Sequence, residues 1–121
     1  MQTIRGSCHC GAVQFSVEAT LPLDVLDCNC SICTKKGILH LIVAEASLAI
    51  LAGEDCLTTY TFGTHTAKHM FCRTCGIHPF YRPRSHPHQW DVNARCLDDP
   101  PPFTTRPFDG ANWEQAIDSI R

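Results

Sequence analysis

Seven of the nine cysteines in this chain fall into three short clusters, Cys8-His9-Cys10, Cys28-Asn29-Cys30-Ser31-Ile32-Cys33 and Cys72-Arg73-Thr74-Cys75. Each spacing lets one short segment offer two or three sulfurs to a single metal ion. Zinc fits best, because it takes thiolates at about 2.3 Å in a tetrahedron. Four sulfurs close such a site and three leave one position open, so the seven divide most simply as four plus three, with two zinc ions per chain. Cys8 and Cys10 project from the same face of an extended segment. Cys72 and Cys75 close a turn of zinc-knuckle type. A zinc shared by these two pairs would pin distant segments together and stabilise a small domain. Cys28, Cys30 and Cys33 lie in one loop with no fourth cysteine close by in sequence. Three protein ligands with an open position is the catalytic pattern; the alternative is a closed site whose fourth ligand is Cys56, Cys96 or a histidine.

The totals predict one domain, residues 1–121. Formal net charge is −2, and thiolate-bound zinc would take it to about −5. That argues against non-specific nucleic-acid binding, which requires a basic face, though not against a small basic pocket. The most apolar stretch, Ile38 to Ala52, is interrupted by His40, Glu45 and Ser47 and is too short to span a bilayer. No apolar leader follows Met1. Nine cysteines without a secretory signal point to a reducing, cytoplasmic setting, since an odd count and C-x-C spacing suit disulfides poorly.

Along the chain, residues 2–6 read as a strand leading into the first cysteine pair. Val13-Gln14-Phe15-Ser16-Val17-Glu18 alternates apolar and polar, a strand with Val13, Phe15 and Val17 facing inward. Gly11 sits where a tight turn can need positive φ. Residues 38–44 suit a buried strand, and 47–52 another. The segments 57–62 and 67–71 read as strands joined by a hairpin over Gly63-Thr64-His65. Residues 77–81 and 90–96 suit late strands, 82–88 a loop, and 98–102 a polyproline-type surface linker. Trp113, Ala116, Ile117 and Ile120 recur at helical spacing, with a capping-box-like start at Asn112 and Gln115. About eight short strands and one terminal helix make a mainly β domain.

Outside the clusters, Cys56 and Cys96 suit core packing. His40, within an apolar run, reads as a satisfied core histidine, and His9 as turned away from its neighbours. His65, His78, His86 and His88 read as loop or edge residues; His69 lies near the Cys72 turn with no direction specified. Arg82 and Arg84 flank Pro83 in a stiffened loop, suited either to gripping a carboxylate in two-point contact or to solvent. Lys35 and Lys36 are solvated or steer an anionic ligand.

Together, Gly6-Ser7-Cys8-His9-Cys10-Gly11-Ala12-Val13, the Cys28–Cys33 cluster and Phe71-Cys72-Arg73-Thr74-Cys75-Gly76 resemble the glutathione-dependent formaldehyde-activating enzyme family. Leu57 to Phe62, Tyr81-Arg82-Pro83-Arg84-Ser85 and Cys96-Leu97-Asp98 are most similar to its centromere protein V branch. The resemblance runs from residue 4 to 120. It implies an Mss4-like β fold of short antiparallel strands with a short C-terminal helix. It also implies a structural zinc on Cys8, Cys10, Cys72 and Cys75, and a functional zinc on Cys28, Cys30 and Cys33. The implied activity is carbon–sulfur lyase chemistry: condensation of glutathione with formaldehyde to S-hydroxymethylglutathione, or its reverse. Arg82 and Arg84 are the candidates for holding a substrate carboxylate. The long N-terminal region of centromere protein V has no counterpart here, so a chromatin or microtubule role does not carry over.

The expected protein is a cytoplasmic zinc enzyme acting on a small thiol such as glutathione, without nucleic-acid or membrane partners. Its rival is a non-catalytic zinc-binding interaction module. Nothing in the sequence specifies an oligomeric state.

Overall fold

The computed structural model describes residues 1–120. In chain order its strands are β1 (Gln2–Ser7), β2 (Gln14–Ala19), β3 (Val25–Cys28), β4 (Leu39–Val43), β5 (Leu48–Ala52), β6 (Leu57–Tyr60), β7 (His69–Cys72), β8 (Phe80–Tyr81), β9 (Trp90–Asn93) and β10 (Thr105–Phe108). Two short helices, α1 (Ser31–Lys36) and α2 (Trp113–Ala116), complete it. One sheet has the order β1-β2-β5, a second β10-β3-β4-β9-β8, and β6 pairs with β7. The architecture is the mainly β one expected, with its short C-terminal helix.

The alternation of residues 13–18 does what period 2 requires: Val13, Phe15 and Val17 are fully buried. Gly6 pairs with Phe15 across the β1–β2 ladder. A β-carbon on Gly6 would lie 2.5 Å from Phe15 Cζ and 2.6 Å from the Cys96 carbonyl, so only glycine fits. Phe15 in turn meets Phe80 edge-on at 5.4 Å, and Phe80 meets Trp90 at 5.2 Å. These rings join Ile4, Val17, Leu41 and Val92 in one apolar cluster, so the two larger sheets share a core. Burying each such ring is worth about 1.5–3 kcal/mol.

Several elements differ from the sequence expectation. β10 runs parallel to β3, with Thr105 opposite Val25 and Phe108 opposite Cys28, so the strands are not all antiparallel. Pro107 is tolerated because β10 is an edge strand. Residues 94–96 form a 3-10 turn instead of extending β9, and only Phe80–Tyr81 of the 77–81 stretch is strand. The expected hairpin is present, with β6 antiparallel to β7. α2 lasts one turn and continues as a 3-10 turn, Ile117–Ser119, that buries Ile117. Its capping box does not form: Asn112 Nδ2 donates to Asp109 Oδ2 at 2.9 Å instead. The middle cysteines occupy the end of a strand and the start of a helix, not a loop. Cys28 ends β3, Cys30 is the residue before α1, and Cys33 lies within α1. Among the described residues, no helix is long and apolar enough to cross a membrane.

Candidate functional site

The β1–β2 turn and the end of β7 bring four sulfurs together. Those of Cys8, Cys10, Cys72 and Cys75 all lie within 4.8 Å of one another. Cys8 to Cys10 and Cys10 to Cys72 are both 3.7 Å apart. A sulfur tetrahedron with bonds of about 2.3 Å has edges of about 3.8 Å, so this is the spacing that a tetrahedral thiophilic cation demands. Gly11, at φ 81°, makes the turn that aims the first pair. The Val13 N–H donates to Cys8 Sγ at 3.3 Å.

Electrostatics in this quartet are unbalanced without a cation. The Ala12 N–H lowers Cys10, but lost hydration and the Cys8, Cys72 and Cys75 sulfurs outweigh it and push the thiol up to about 12. Desolvation raises Cys75, yet the Cys10 and Ile77 N–H groups and the Cys72 and Cys8 sulfurs bring it down to about 6. Crowded sulfurs therefore split into thiol and thiolate, and a shared cation would let all four ionise.

A second cluster lies where β3, α1 and β4 meet. Here the sulfurs of Cys28 and Cys33 and a ring nitrogen of His40 lie within 4.8 Å of one another. Cys30 is not in that closest group, but its sulfur interacts with those of Cys28 and Cys33. Cys28 and Cys33 hold the Cys30 thiol well below its ordinary range. Cys30 in turn raises Cys28, and both raise Cys33. Two clusters can thus hold metal ions. His40, read from the sequence as a satisfied core residue, stands at the second.

The two clusters differ in what surrounds them. Cys28, Cys30 and Cys33 line a cavity of about 500 Å³, whereas none of the first quartet does. One wall is a stack of rings: Phe62 on His69 at 5.3 Å and His69 on Tyr81 at 5.0 Å. Burial and the nearby Lys36 lower the His69 pKa, so this ring is neutral at pH 7. Trp113 and Arg84 also line the cavity. Arg84 stacks over Trp113 at 3.8 Å and donates to Glu114 at 3.1 Å. Arg82 is not brought to the cavity: its guanidinium pairs with Glu45 and covers the Trp90 ring at 3.5 Å. His78 lies in the loop between β7 and β8, as expected, but is buried there, 4% exposed, with Nδ1 3.1 Å from Lys36 Nζ. Cys56 and Cys96 pack against the core, as expected.

The segment after β10 closes over the second cluster. Asn29 Nδ2 donates to Asp109 Oδ1 at 2.9 Å, and the Ala111 N–H donates back to Asn29 Oδ1 at 2.9 Å. Between them Gly110 lines the cavity beside Cys28. Residues 109–111 carry no signal in sequence, because Asp-Gly-Ala looks like any surface turn.

The profile of the glutathione-dependent formaldehyde-activating enzyme family matches residues 3–113. A Halomonas elongata protein, provisionally assigned as a glutathione-dependent formaldehyde-activating enzyme, is 31% identical over 80 residues, covering 60% of this chain and 51% of that protein. The match thus spans about half the length of that curated relative. A Rhodobacter sphaeroides protein of known crystal structure superposes with a TM-score of 0.74 at 41% identity, covering 81% of this chain and 91% of that one. With its cysteine clusters, its β architecture and a profile match along most of its length, the chain belongs to the glutathione-dependent formaldehyde-activating enzyme family.

Proposed function

We propose that the protein is a zinc-dependent carbon–sulfur lyase acting on a glutathione-type thiol adduct, forming or cleaving S-hydroxymethylglutathione. In the forward direction the glutathione sulfur bonds to the formaldehyde carbon. The carbonyl π pair goes to oxygen, and the thiol proton ends on the new hydroxyl. The observation that carries this reading is that one cysteine cluster opens onto the 500 Å³ cavity while the other does not. That volume is ordinary for a small-molecule site.

In this reading Cys8, Cys10, Cys72 and Cys75 hold a structural zinc, and Cys28, Cys30 and Cys33 hold the functional one. Bound there, zinc supplies a Lewis acid that favours thiolate over thiol and polarises an aldehyde. The chain's own groups do the rest. The Phe62–His69–Tyr81 stack gives the reactants an aromatic wall. Arg84, at the cavity, is the better placed of the two arginines to meet a substrate carboxylate, trading its exposed contact with Glu114 for it. Holding thiol and aldehyde together supplies much of the acceleration. Free cysteines persist best in a reducing compartment, which supports a cytoplasmic location.

Titration of the zinc-loaded protein with glutathione, followed by calorimetry, tests the reading. NMR of glutathione and formaldehyde exchanging with their adduct gives the rate. Saturable heat at millimolar glutathione and faster exchange are expected. No binding and no acceleration would remove this function.

A further inference from the structure

One nitrogen at the second cluster has no use within the protein. His40 is 3% exposed, in the middle of β4, and its Nδ1 lies 2.8 Å from Asp91 Oδ2 on the neighbouring β9. The Tyr81 hydroxyl lies 3.2 Å from the same nitrogen. Nε2 is also buried, and among the described residues nothing hydrogen-bonds to it. Leaving a polar atom so costs about 1–3 kcal/mol.

Asp91 decides which nitrogen is on offer. A carboxylate oxygen at this distance accepts, so Nδ1 carries the hydrogen, and in the neutral ring Nε2 carries the lone pair. With Nδ1 committed, Nε2 is the ring atom left for the Cys28 and Cys33 sulfurs, which share with His40 a 4.8 Å cluster. A carboxylate behind one imidazole nitrogen and soft donors before the other is the usual surroundings of a metal-binding histidine.

We propose that His40 Nε2 is the fourth protein donor of the Cys28–Cys30–Cys33 site, with Asp91 as the positioning residue that fixes its tautomer. The proposal rests on the reading that these three cysteines hold zinc. It makes the substrate-free site closed, with three sulfurs and one nitrogen, and Cys30 turns inward at the start of α1 to join the group. A substrate sulfur then enters by exchange with a neutral imidazole rather than with water.

The test uses the whole chain loaded with cadmium or cobalt. Cadmium NMR on protein with nitrogen-labelled histidine should give two metal resonances, one split by a histidine nitrogen. This needs no variant. In the cobalt protein, His40→Ala should move the visible bands of one site to longer wavelength and weaken its metal retention against a chelator by more than the roughly 10–100-fold typical of losing an outer-shell partner. Asp91→Asn should act in the same direction but less. Added imidazole should restore the His40→Ala spectrum. Two bound metals with no histidine coupling, and a His40→Ala spectrum like the parent's, would overturn the proposal and leave the three-cysteine reading standing. One bound metal per chain, in the Cys8 site alone, would overturn that reading and the proposal with it.

Discussion

No β-carbon fits on Gly110 facing Cys28: one built there would overlap Cys28 Sγ and lie 3.0 Å from Cys30 Cβ. The segment after β10 therefore presses on the cysteine-bearing turn without a gap. Gly110→Ala must lift that segment or turn the Cys28 sulfur aside. Overpacking of this kind costs about 1–3 kcal/mol, or roughly a 5–150-fold loss of metal affinity if it falls on the donors. We expect the second metal to leave at lower chelator concentration while the melting temperature hardly moves. Equal retention in parent and variant would count against the close approach.

The two cysteine clusters should fail differently. Cys72→Ser removes a buried donor that joins β7 to the β1–β2 turn, and metal-coupled folding free energy rivals the whole stability of a small domain. Its far-UV circular dichroism should be that of an unfolded chain. Cys30→Ser, at the cavity rim, should keep the native spectrum and lose turnover. A folded, active Cys72→Ser protein would refute the structural role of the first quartet.

Phe15 is fully buried between β1 and the Phe80 ring. Truncation to alanine should cost about 3–5 kcal/mol, read as a lower urea midpoint with unchanged cooperativity. Metal content of the folded fraction should stay as in the parent.

Acid should weaken the fold through His78. Burial, with help from Lys36, holds its pKa down to about 2 against an ordinary 6.5. The unfolded chain thus takes up a proton below pH 6.5 that the native one refuses. This contribution is complete above that pH and is lost as pH falls. Between about pH 7 and about pH 5.5 it amounts to about 1 kcal/mol. Urea unfolding of parent and His78→Gln at both values, with metal content checked, should show the parent losing that much more. Parallel losses would mean that His78 titrates normally in the native state.

What was legible in the sequence was local. C-x-C, C-x-C-x-x-C and C-x-x-C carry their geometry in their own spacing, and period 2 in residues 13–18 names its buried face. What was not legible depends on partners far along the chain. His40 looked satisfied because an apolar run hides a neighbour like Asp91, 51 residues away. Arg82 looked available because Glu45 gives no sign in sequence that it will occupy the guanidinium. β10 was missed because Pro107 reads as a breaker until the strand is known to be an edge.

The parallel pairing of β3 with β10 also has a consequence in time. The cover over the second cysteine cluster is held by Asn29 and Asp109, 80 residues apart. At usual rates of synthesis that stretch takes roughly 4–16 s to emerge. Cys28, Cys30 and Cys33 thus leave the ribosome well before the segment that roofs them. During that interval their sulfurs face solvent or a metal donor directly, and loading can precede enclosure. The β3–β10 pairing thus leaves this cluster uncovered until Asp109 has emerged.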